Sequence, residues 1–210
     1  MEQALKELRN LTNSLLSRVS AALAEVPAGT LSLTGVLGCV YPDCSRLASA
    51  VRTQLGGVRS VTISAPGVLL QEWTPSDLQD AATLRADAAG VVREMSRAAN
   101  VYIIAHVVDD IGEATVRGAL EAGELVGNAP GRIKPHRVLF CSTLEGKVSI
   151  VRQLEPELHI DGHAATIEGL KRFMPQLVHV TQPGTAAAGA GSPNVGSAAT
   201  LASLFGQSSS

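Results

Sequence analysis

Aromatic residues are scarce in this sequence, and neither a long apolar run nor a strong charge excess is present. Phe, Trp and Tyr make up 3% of the 210 residues, although hydrophobic residues reach 45%. A buried core must therefore be built from Val, Leu, Ile and Ala. The formal net charge is only −2, which gives no electrostatic reason to expect nucleic acid or an anionic membrane surface as a partner.

The cysteines are too few for a disulfide framework. Cys39, Cys44 and Cys141 are an odd number and form no C-x-x-C pair, as expected of free, mostly buried thiols in a reducing compartment. No apolar run approaches the roughly 20 residues of a membrane-spanning helix. Nor does a basic start followed by an apolar block indicate a signal peptide.

The glycine-rich loops that bind phosphate in nucleotide-binding proteins are also missing. Neither G-x-G-x-x-G after a predicted strand nor G-x-x-x-x-G-K-[ST] occurs. We interpret Gly146-Lys147 as a turn with a solvated lysine, because Val148 stands where the phosphate loop needs Ser or Thr. Lys147 also follows Cys141 at the spacing where a cysteine phosphatase has arginine, but an ammonium lacks the bidentate fork.

What the sequence does contain is an alternation of strand-like and helix-like segments. Residues 1–29 predict an N-terminal amphipathic helix, since Leu and Val recur at three- and four-residue steps. Residues 30–181 predict one α/β domain with a largely parallel sheet flanked by helices. Residues 182–192 are rich in Gly, Ala, Ser and Pro, as in a flexible linker. Residues 193–210 predict a C-terminal segment with a short helix that docks back.

The individual elements follow from apolar periodicity and from turn residues. We predict helices at residues 45–55, 74–99, 113–125 and 163–174. We predict strands at residues 31–40, 59–70 with a break at Pro66-Gly67, 101–108 and 176–181.

Residues 137–162 form the most informative stretch. The apolar run Val138–Cys141 predicts a strand, and Val148, Val151 and Leu154 recur on one face of a helix. After a turn at Pro156, a second short apolar run begins. This strand–helix–strand unit has the length of one crossover of a parallel sheet.

This unit raises one enzymatic alternative, a divergent haloacid-dehalogenase-like phosphatase. Ser142 or Thr143 at the strand end would bind phosphate. Lys147 or Arg152 would neutralise the phosphate, and Asp161 would hold magnesium.

The nucleophile of such an enzyme is not found. The first strand must end in an Asp with a second Asp two residues on. The predicted strand at residues 31–40 ends in Gly-Cys-Val, and Asp43 lies beyond Pro42. We therefore expect a similar sheet without catalytic activity.

His159, Asp161 and His163 form an H-x-D-G-H motif. On an extended strand these alternate side chains point to one face, which would suit a metal ion. Gly162 argues that the strand ends before His163. A strand-end histidine and a helix-capping aspartate explain the same letters, so we expect no metal or cofactor.

Several other polar or aromatic residues allow structural explanations. His106 lies in an apolar run, as a core histidine would, and Asp109 and Asp110 are placed to cap the next helix. Trp73, the only tryptophan, is either an anchor for a partner or a hydrophobic staple before a helix.

Three sequence strings resemble the peroxin-22 family of peroxisome biogenesis proteins, especially its plant and algal members. They are VLFCST (138–143), VRQLEPELHID (151–161) and QLVHV (176–180). Weaker similarities in family order include WTPSDLQ (73–79) and VYIIAHVVDD (101–110). The resemblance covers most of residues 31–206.

The resemblance implies a Rossmann-like α/β domain without catalytic activity or cofactor. It implies binding of a ubiquitin-conjugating enzyme of the peroxin-4 type at the cytosolic face of the peroxisomal membrane. That enzyme ubiquitinates the import receptor for matrix proteins so that the receptor is recycled. Family members generally carry an N-terminal membrane segment, whereas charged residues interrupt the helix predicted at 1–29. We therefore expect membrane association to be indirect or to use a segment missing from this sequence.

The partner-binding residues are predicted from the chain itself. Glu155, Pro156 and Glu157 place two charges around a proline, a pattern with little use inside a core. We predict that this exposed loop contacts the partner.

Overall fold

Six parallel strands form one sheet, which confirms the predicted α/β class with its largely parallel sheet flanked by helices. The computed structural model describes residues 43–189 and 191–206. The predicted helix at 1–29, the predicted strand at 31–40 and Cys39 lie outside these residues. From Ser45 on, the described residues belong to one compact unit.

The strands are β1 (Ser60–Ser64), β2 (Asn100–His106), β3 (Val138–Cys141), β4 (Leu158–Asp161), β5 (Leu177–Val180) and β6 (Val195–Ala198). The helices are α1 (Asp43–Leu55), α2 (Asp77–Asp80), α3 (Ala86–Ala98), α4 (Asp110–Ala122), α5 (Leu144–Leu154), α6 (Ala164–Leu170) and α7 (Leu201–Leu204).

The strand order is β3-β2-β1-β4-β5-β6, the order of Rossmann-like folds. The predicted unit at 137–162 is confirmed as β3, α5 and β4. Its two strands are not neighbours, however, because α5 carries the chain across β2 and β1 to the far side of the sheet. The order therefore reverses between β1 and β4. In open parallel sheets, ligands bind outside the carboxyl ends of the strands at such a switch point.

Each face of the sheet has its own apolar core, and alternation along the strands decides which side chains enter it. The larger core joins α1, α3, α4 and α7 to one face, with Val61, Ile63 and Ile160 among its buried strand residues. The smaller core joins α5 and α6 to the other face through Val151 and Ile167.

The face beneath α5 and α6 differs from the other by a row of buried polar side chains. Thr62 and Ser64 alternate with the apolar residues of β1, and His159 and Asp161 do the same on β4. All four side chains are fully buried. Since buried polar groups are costly unless they are paired, this row identifies where the chain departs from a purely apolar core.

The helix predicted at 74–99 is wrong in its middle. The structure has two helices, α2 and α3, with an extended break between them. Leu84 in that break forms an antiparallel bridge with Leu70, and Arg85 donates its backbone N–H to Leu69. Tertiary pairing therefore overrides local helical pattern here.

The C-terminal segment has one more element than predicted. Val195–Ala198 forms β6 beside β5, and only the four residues Leu201–Leu204 are helical. Leu201 and Phe205 are buried in the larger core, so this segment does pack against the domain. The mobility of residues 182–192 stays a prediction. Across residues 43–189 and 191–206, no helix has both the length and the apolar character needed to cross a bilayer.

Candidate functional site

A buried charged pair lies at the switch point of the sheet. Lys147 Nζ is 2.6 Å from Asp161 Oδ2, and the two side chains are 3% and 0% exposed. Lys147 Nζ also donates to Ser64 Oγ at 2.7 Å. The prediction that Lys147 is solvated is therefore wrong: the residue lies in the first turns of α5, which Thr143 caps by accepting the N–H of Gly146.

The pair extends into the sheet through a chain of hydrogen bonds. His159 Nε2 is 3.2 Å from Asp161 Oδ2, and His159 Nδ1 is 2.7 Å from Thr62 Oγ1. Asp161 Oδ1 accepts the backbone N–H of His163 at 2.7 Å. Both carboxylate oxygens of Asp161 thus have partners although the residue is inaccessible to solvent.

These partners decide the charge of Asp161. Burial alone would raise the pKa of its carboxyl. The positive charge of Lys147 and the hydrogen bonds from His159 and Lys147 outweigh burial and hold the pKa well below its usual range. Asp161 is therefore ionised at neutral pH and forms a true ion pair with Lys147.

A cleft of about 330 Å³ opens above this pair at the carboxyl edge of the sheet. We call it the carboxyl-edge cleft. Its hydrogen-bonding side chains include Lys147, His106, His163 and His179, and Ser64 lies in its floor. No aspartate or glutamate is among the residues that line it. A ligand in the cleft would therefore meet one cation and no carboxylate.

Trp73 forms an apolar wall of the carboxyl-edge cleft. Its ring lies against Gly67 and Gly162, where an added Cβ would come within 2.4 Å and 2.9 Å of ring carbons. Gly67 has φ +70°, so a larger residue would also be strained there. Trp73 is half-buried and forms a fixed wall of the cleft, and its predicted role as a partner anchor stays a prediction.

The central strand β1 does not carry the Asp pair that the phosphatase alternative requires. The residue whose side chain bonds Lys147 at the end of β1 is Ser64, and Pro66 stands two positions on. An Asp pair is therefore absent from this strand end, and neither residue forms a phosphoaspartate. Of the predicted phosphate ligands, Thr143 caps a helix.

The cysteine alternative is equally disfavoured. Burial raises the pKa of the Cys141 thiol, against a smaller lowering by Lys147. A thiol with a raised pKa carries little thiolate at neutral pH and is a poor nucleophile.

The H-x-D-G-H motif does not assemble a metal site. His159 and Asp161 bond each other and their neighbours, whereas His163 begins the next helix. Within residues 43–189 and 191–206 no three His, Cys, Asp or Glu side chains are placed to hold a metal ion. The alternative of a helix-capping aspartate agrees better with the structure, because Asp161 accepts the backbone N–H of His163.

The structure contradicts the role predicted for His106 and confirms the role predicted for Asp109. His106 is half-buried and lines the carboxyl-edge cleft, so the core role predicted for it is wrong. Asp109 caps α4 as predicted, since its carboxylate accepts the N–H groups of Ile111 and Gly112.

The predicted partner loop lies at the opposite, amino-terminal edge of the sheet, just before β4. Glu155 is exposed and adopts a left-handed conformation with φ 45°. Pro156 is buried, which the sequence did not predict. Glu157 is held by Arg59, whose backbone and side chain both donate to its carboxylate.

Next to this loop lies a shallow groove with an exposed aromatic ring. The side chain of Phe173 is 54% exposed, and the Arg152 guanidinium stacks 4.2 Å from its ring centre. Both residues line the groove together with Glu155, Pro156 and Glu157. We call this surface the Arg152–Phe173 groove.

Sequence reasoning missed Ser64, Arg152 and Phe173 as members of these two sites. Ser64 meets Lys147 across 83 positions, and that pairing depends on the strand order. Phe173 carried one usable signal, because it follows Lys171 and Arg172 and precedes a Met-Pro turn, where a helix ends at the surface.

Comparisons with known proteins match most of the chain to one family model and one curated relative. The family model "Peroxisome biogenesis protein 22, Haloacid dehydrogenase-like domain" matches residues 51–205. Over 161 residues the chain is 38% identical to Peroxisome biogenesis protein 22 of Arabidopsis thaliana, covering 76% of the chain and 55% of that protein. The chain thus spans about half the length of this relative.

Two solved structures resemble the chain only weakly. Shikimate dehydrogenase of Mycobacterium tuberculosis has a TM-score of 0.40 at 12% identity, over 76% of this chain and 52% of its own. A methyltransferase of Geobacter sulfurreducens has a TM-score of 0.31 at 12% identity, over 75% and 72%. Scores this low support no conclusion about function.

Proposed function

The chain belongs to the peroxisome biogenesis protein 22 family, and we propose that it is a non-catalytic platform for a ubiquitin-conjugating enzyme of the peroxin-4 type. The platform would hold that enzyme at the cytosolic face of the peroxisomal membrane. Ubiquitination of the import receptor would then allow receptor recycling and continued import of matrix proteins. The family match across residues 51–205 is the observation that carries the proposal.

The absence of catalysis in this proposal is supported by the centre of the sheet. Ser64 and Pro66 stand where a haloacid-dehalogenase-like phosphatase needs its Asp pair. Asp161 is fully buried and paired with Lys147, so it presents no carboxylate to a substrate or to a magnesium ion. The family description includes a haloacid dehydrogenase-like domain, but β1 lacks the Asp pair that the phosphatase chemistry requires.

We place the partner on the Arg152–Phe173 groove. Arginine and aromatic residues are enriched at interface hot spots, and Phe173 is the only aromatic side chain among the large exposed hydrophobic residues of the described chain. Glu155 supports the same surface, because a left-handed glutamate costs stability that glycine would avoid. Such a residue is retained most readily where its side chain has a use.

The groove proposal is tested by calorimetric titration of a peroxin-4-type enzyme into the full chain. We expect Phe173→Ala to weaken binding by at least about tenfold, since hot-spot truncations cost roughly 1.4 kcal/mol or more. Glu155→Lys should weaken it as well. Ile111→Ala and Glu121→Lys are matched controls at exposed positions outside the groove and should bind as the unmodified chain does.

The outcomes distinguish an error in the proposed binding surface from an error in the proposed platform function. If the controls weaken binding and the groove variants do not, the partner uses another face. If the unmodified chain produces no heat of binding, the platform function itself is wrong.

A further inference from the structure

We propose that the carboxyl-edge cleft binds the oxyanion group of a small ligand, a carboxylate or a phosphate, without a metal ion. This inference goes beyond the platform function, because the cleft and the Arg152–Phe173 groove lie at opposite edges of the sheet. Loss of one activity should leave the other intact.

The hydrogen-bond donors of the cleft are fixed before a ligand arrives. An ammonium group has three N–H bonds, and Lys147 Nζ uses one toward Asp161 and one toward Ser64. His179 Nδ1 accepts the backbone N–H of Ala188 at 2.9 Å. Its proton is therefore on Nε2, so this buried ring offers a donor to the cleft it lines.

Two further histidines converge on the same space. His106 and His163 line the cleft. Burial is the main cause that lowers the pKa of His163; Lys147, His106 and His179 lower it further, and Asp161 acts in the opposite direction. Lys147 is the one lysine or arginine among the residues that line the cleft, and no carboxylate lines it, so an anion is attracted there and a cation is repelled. The cluster therefore favours a negatively charged ligand.

The one acidic group nearby is shielded from the cleft. Asp161 is 0% exposed, and its two oxygens accept from Lys147, His159 and the backbone of His163. It fixes the position of the Lys147 ammonium without presenting a carboxylate to a ligand. Pre-positioned donors in a partly desolvated site bind charge more strongly than mobile surface lysines do.

The walls set the size and shape of the rest of the ligand. A volume of about 330 Å³ is at the small end of ligand pockets. Trp73, Pro66 and Pro75 make one side apolar, which suits a compact or planar body. A small organic acid or phosphomonoester satisfies both requirements.

The test is a titration of the full chain with small anions in the presence of EDTA, in which NMR of the histidine ring protons monitors binding. Inorganic phosphate and benzoate are added in separate arms, which distinguishes phosphate from carboxylate ligands. Benzamide is the neutral counterpart of benzoate. His136 is exposed in the turn before β3 and serves as the internal control.

We expect saturable shifts at His106, His163 and His179 in at least one anion arm, with half-saturation at or below about 10 mM. His136 should not saturate, and benzamide should have no effect. The double variant Lys147→Met with Asp161→Asn should raise the half-saturation concentration about tenfold. His163→Gln, which leaves the buried pair intact, should raise it by a smaller factor.

The proposal is overturned if neither anion saturates, if His136 shifts in parallel with the cleft histidines, or if benzamide binds as well as benzoate. Binding that persists unchanged in both the double variant and His163→Gln would also overturn it. If the double variant does not fold, His163→Gln alone decides, with His136→Gln as its matched control.

Discussion

Removing the charge of Lys147 should destabilise the domain more than any surface substitution. Lys147→Met keeps most of the aliphatic side chain but deletes the ammonium that lies 2.6 Å from Asp161. The Asp161 carboxylate would stay fully buried, with only His159 and the His163 backbone as hydrogen-bond donors. A variant of the matching kind at the surface is Lys171→Met, whose partner Glu168 is exposed.

The expected magnitude follows from the burial of both partners. Breaking a buried ion pair by removing one partner costs about 3–5 kcal/mol, out of a total stability of roughly 5–15 kcal/mol for a typical domain. Asp161→Asn should cost less, because the amide oxygen still accepts from Lys147. The double variant should be more stable than the sum of the single changes predicts, by about 2–3 kcal/mol.

Urea unfolding monitors these changes through two signals, Trp73 fluorescence and far-ultraviolet circular dichroism. Coincident transitions would show two-state unfolding, which the comparison of free energies requires. Lys171→Met should change the unfolding free energy far less, since exposed pairs contribute little. A cost below about 1 kcal/mol for Lys147→Met, with additive single and double variants, would refute the argument that this pair is buried and coupled.

Three further predictions concern residues of the same domain. Thr166 Oγ1 is buried without a hydrogen-bond partner among the described residues, so Thr166→Val should stabilise the fold by about 1 kcal/mol in urea unfolding; a loss of stability would show that the hydroxyl is bonded in solution. Glu155→Gly should stabilise it by roughly 0.5–1 kcal/mol, because glycine accepts φ 45° without strain, while weakening the partner; unchanged stability would contradict the strain argument. The folded-state pKa values of His163 and Asp161 are both lowered. Their unfolded pKa values are about 6.5 for histidine and about 3.9 for aspartate. The stability that each group contributes is complete above its unfolded pKa and is lost as the pH falls below that value. Urea midpoints should therefore fall from pH 7.5 toward acid, and His163→Gln should flatten the upper step; an unchanged upper step would refute its assignment to this residue.

The sequence was sufficient for the order and type of most elements. The apolar runs that predict β2 and β3, and the periodic helix between β3 and β4, are local signals, and the structure confirms them. Local signals fail where the partner is distant in sequence. The break between α2 and α3 depends on Leu84 pairing with Leu70, and β6 forms because β5 offers an open edge.

In the candidate sites, too, local sequence signals predict some features, whereas contacts between distant residues determine the others. A lysine after glycine is typical of an exposed turn, and only the crossing of α5 over the sheet brings Lys147 above Asp161 and Ser64. The predicted loop at Glu155 and Glu157 was placed correctly at the surface, but the neighbouring ring of Phe173 depends on how α6 ends. Burial and strand order, which no short motif encodes, therefore determine both sites.

The central claim is that this chain is a platform for a ubiquitin-conjugating enzyme, and gel filtration with light scattering tests it most directly. The purified chain and a purified peroxin-4-type enzyme are mixed at about 50 µM each, well above a micromolar dissociation constant. We predict a single peak whose mass equals one copy of each protein. Two separate peaks, each with the mass of one protein alone, would contradict the claim.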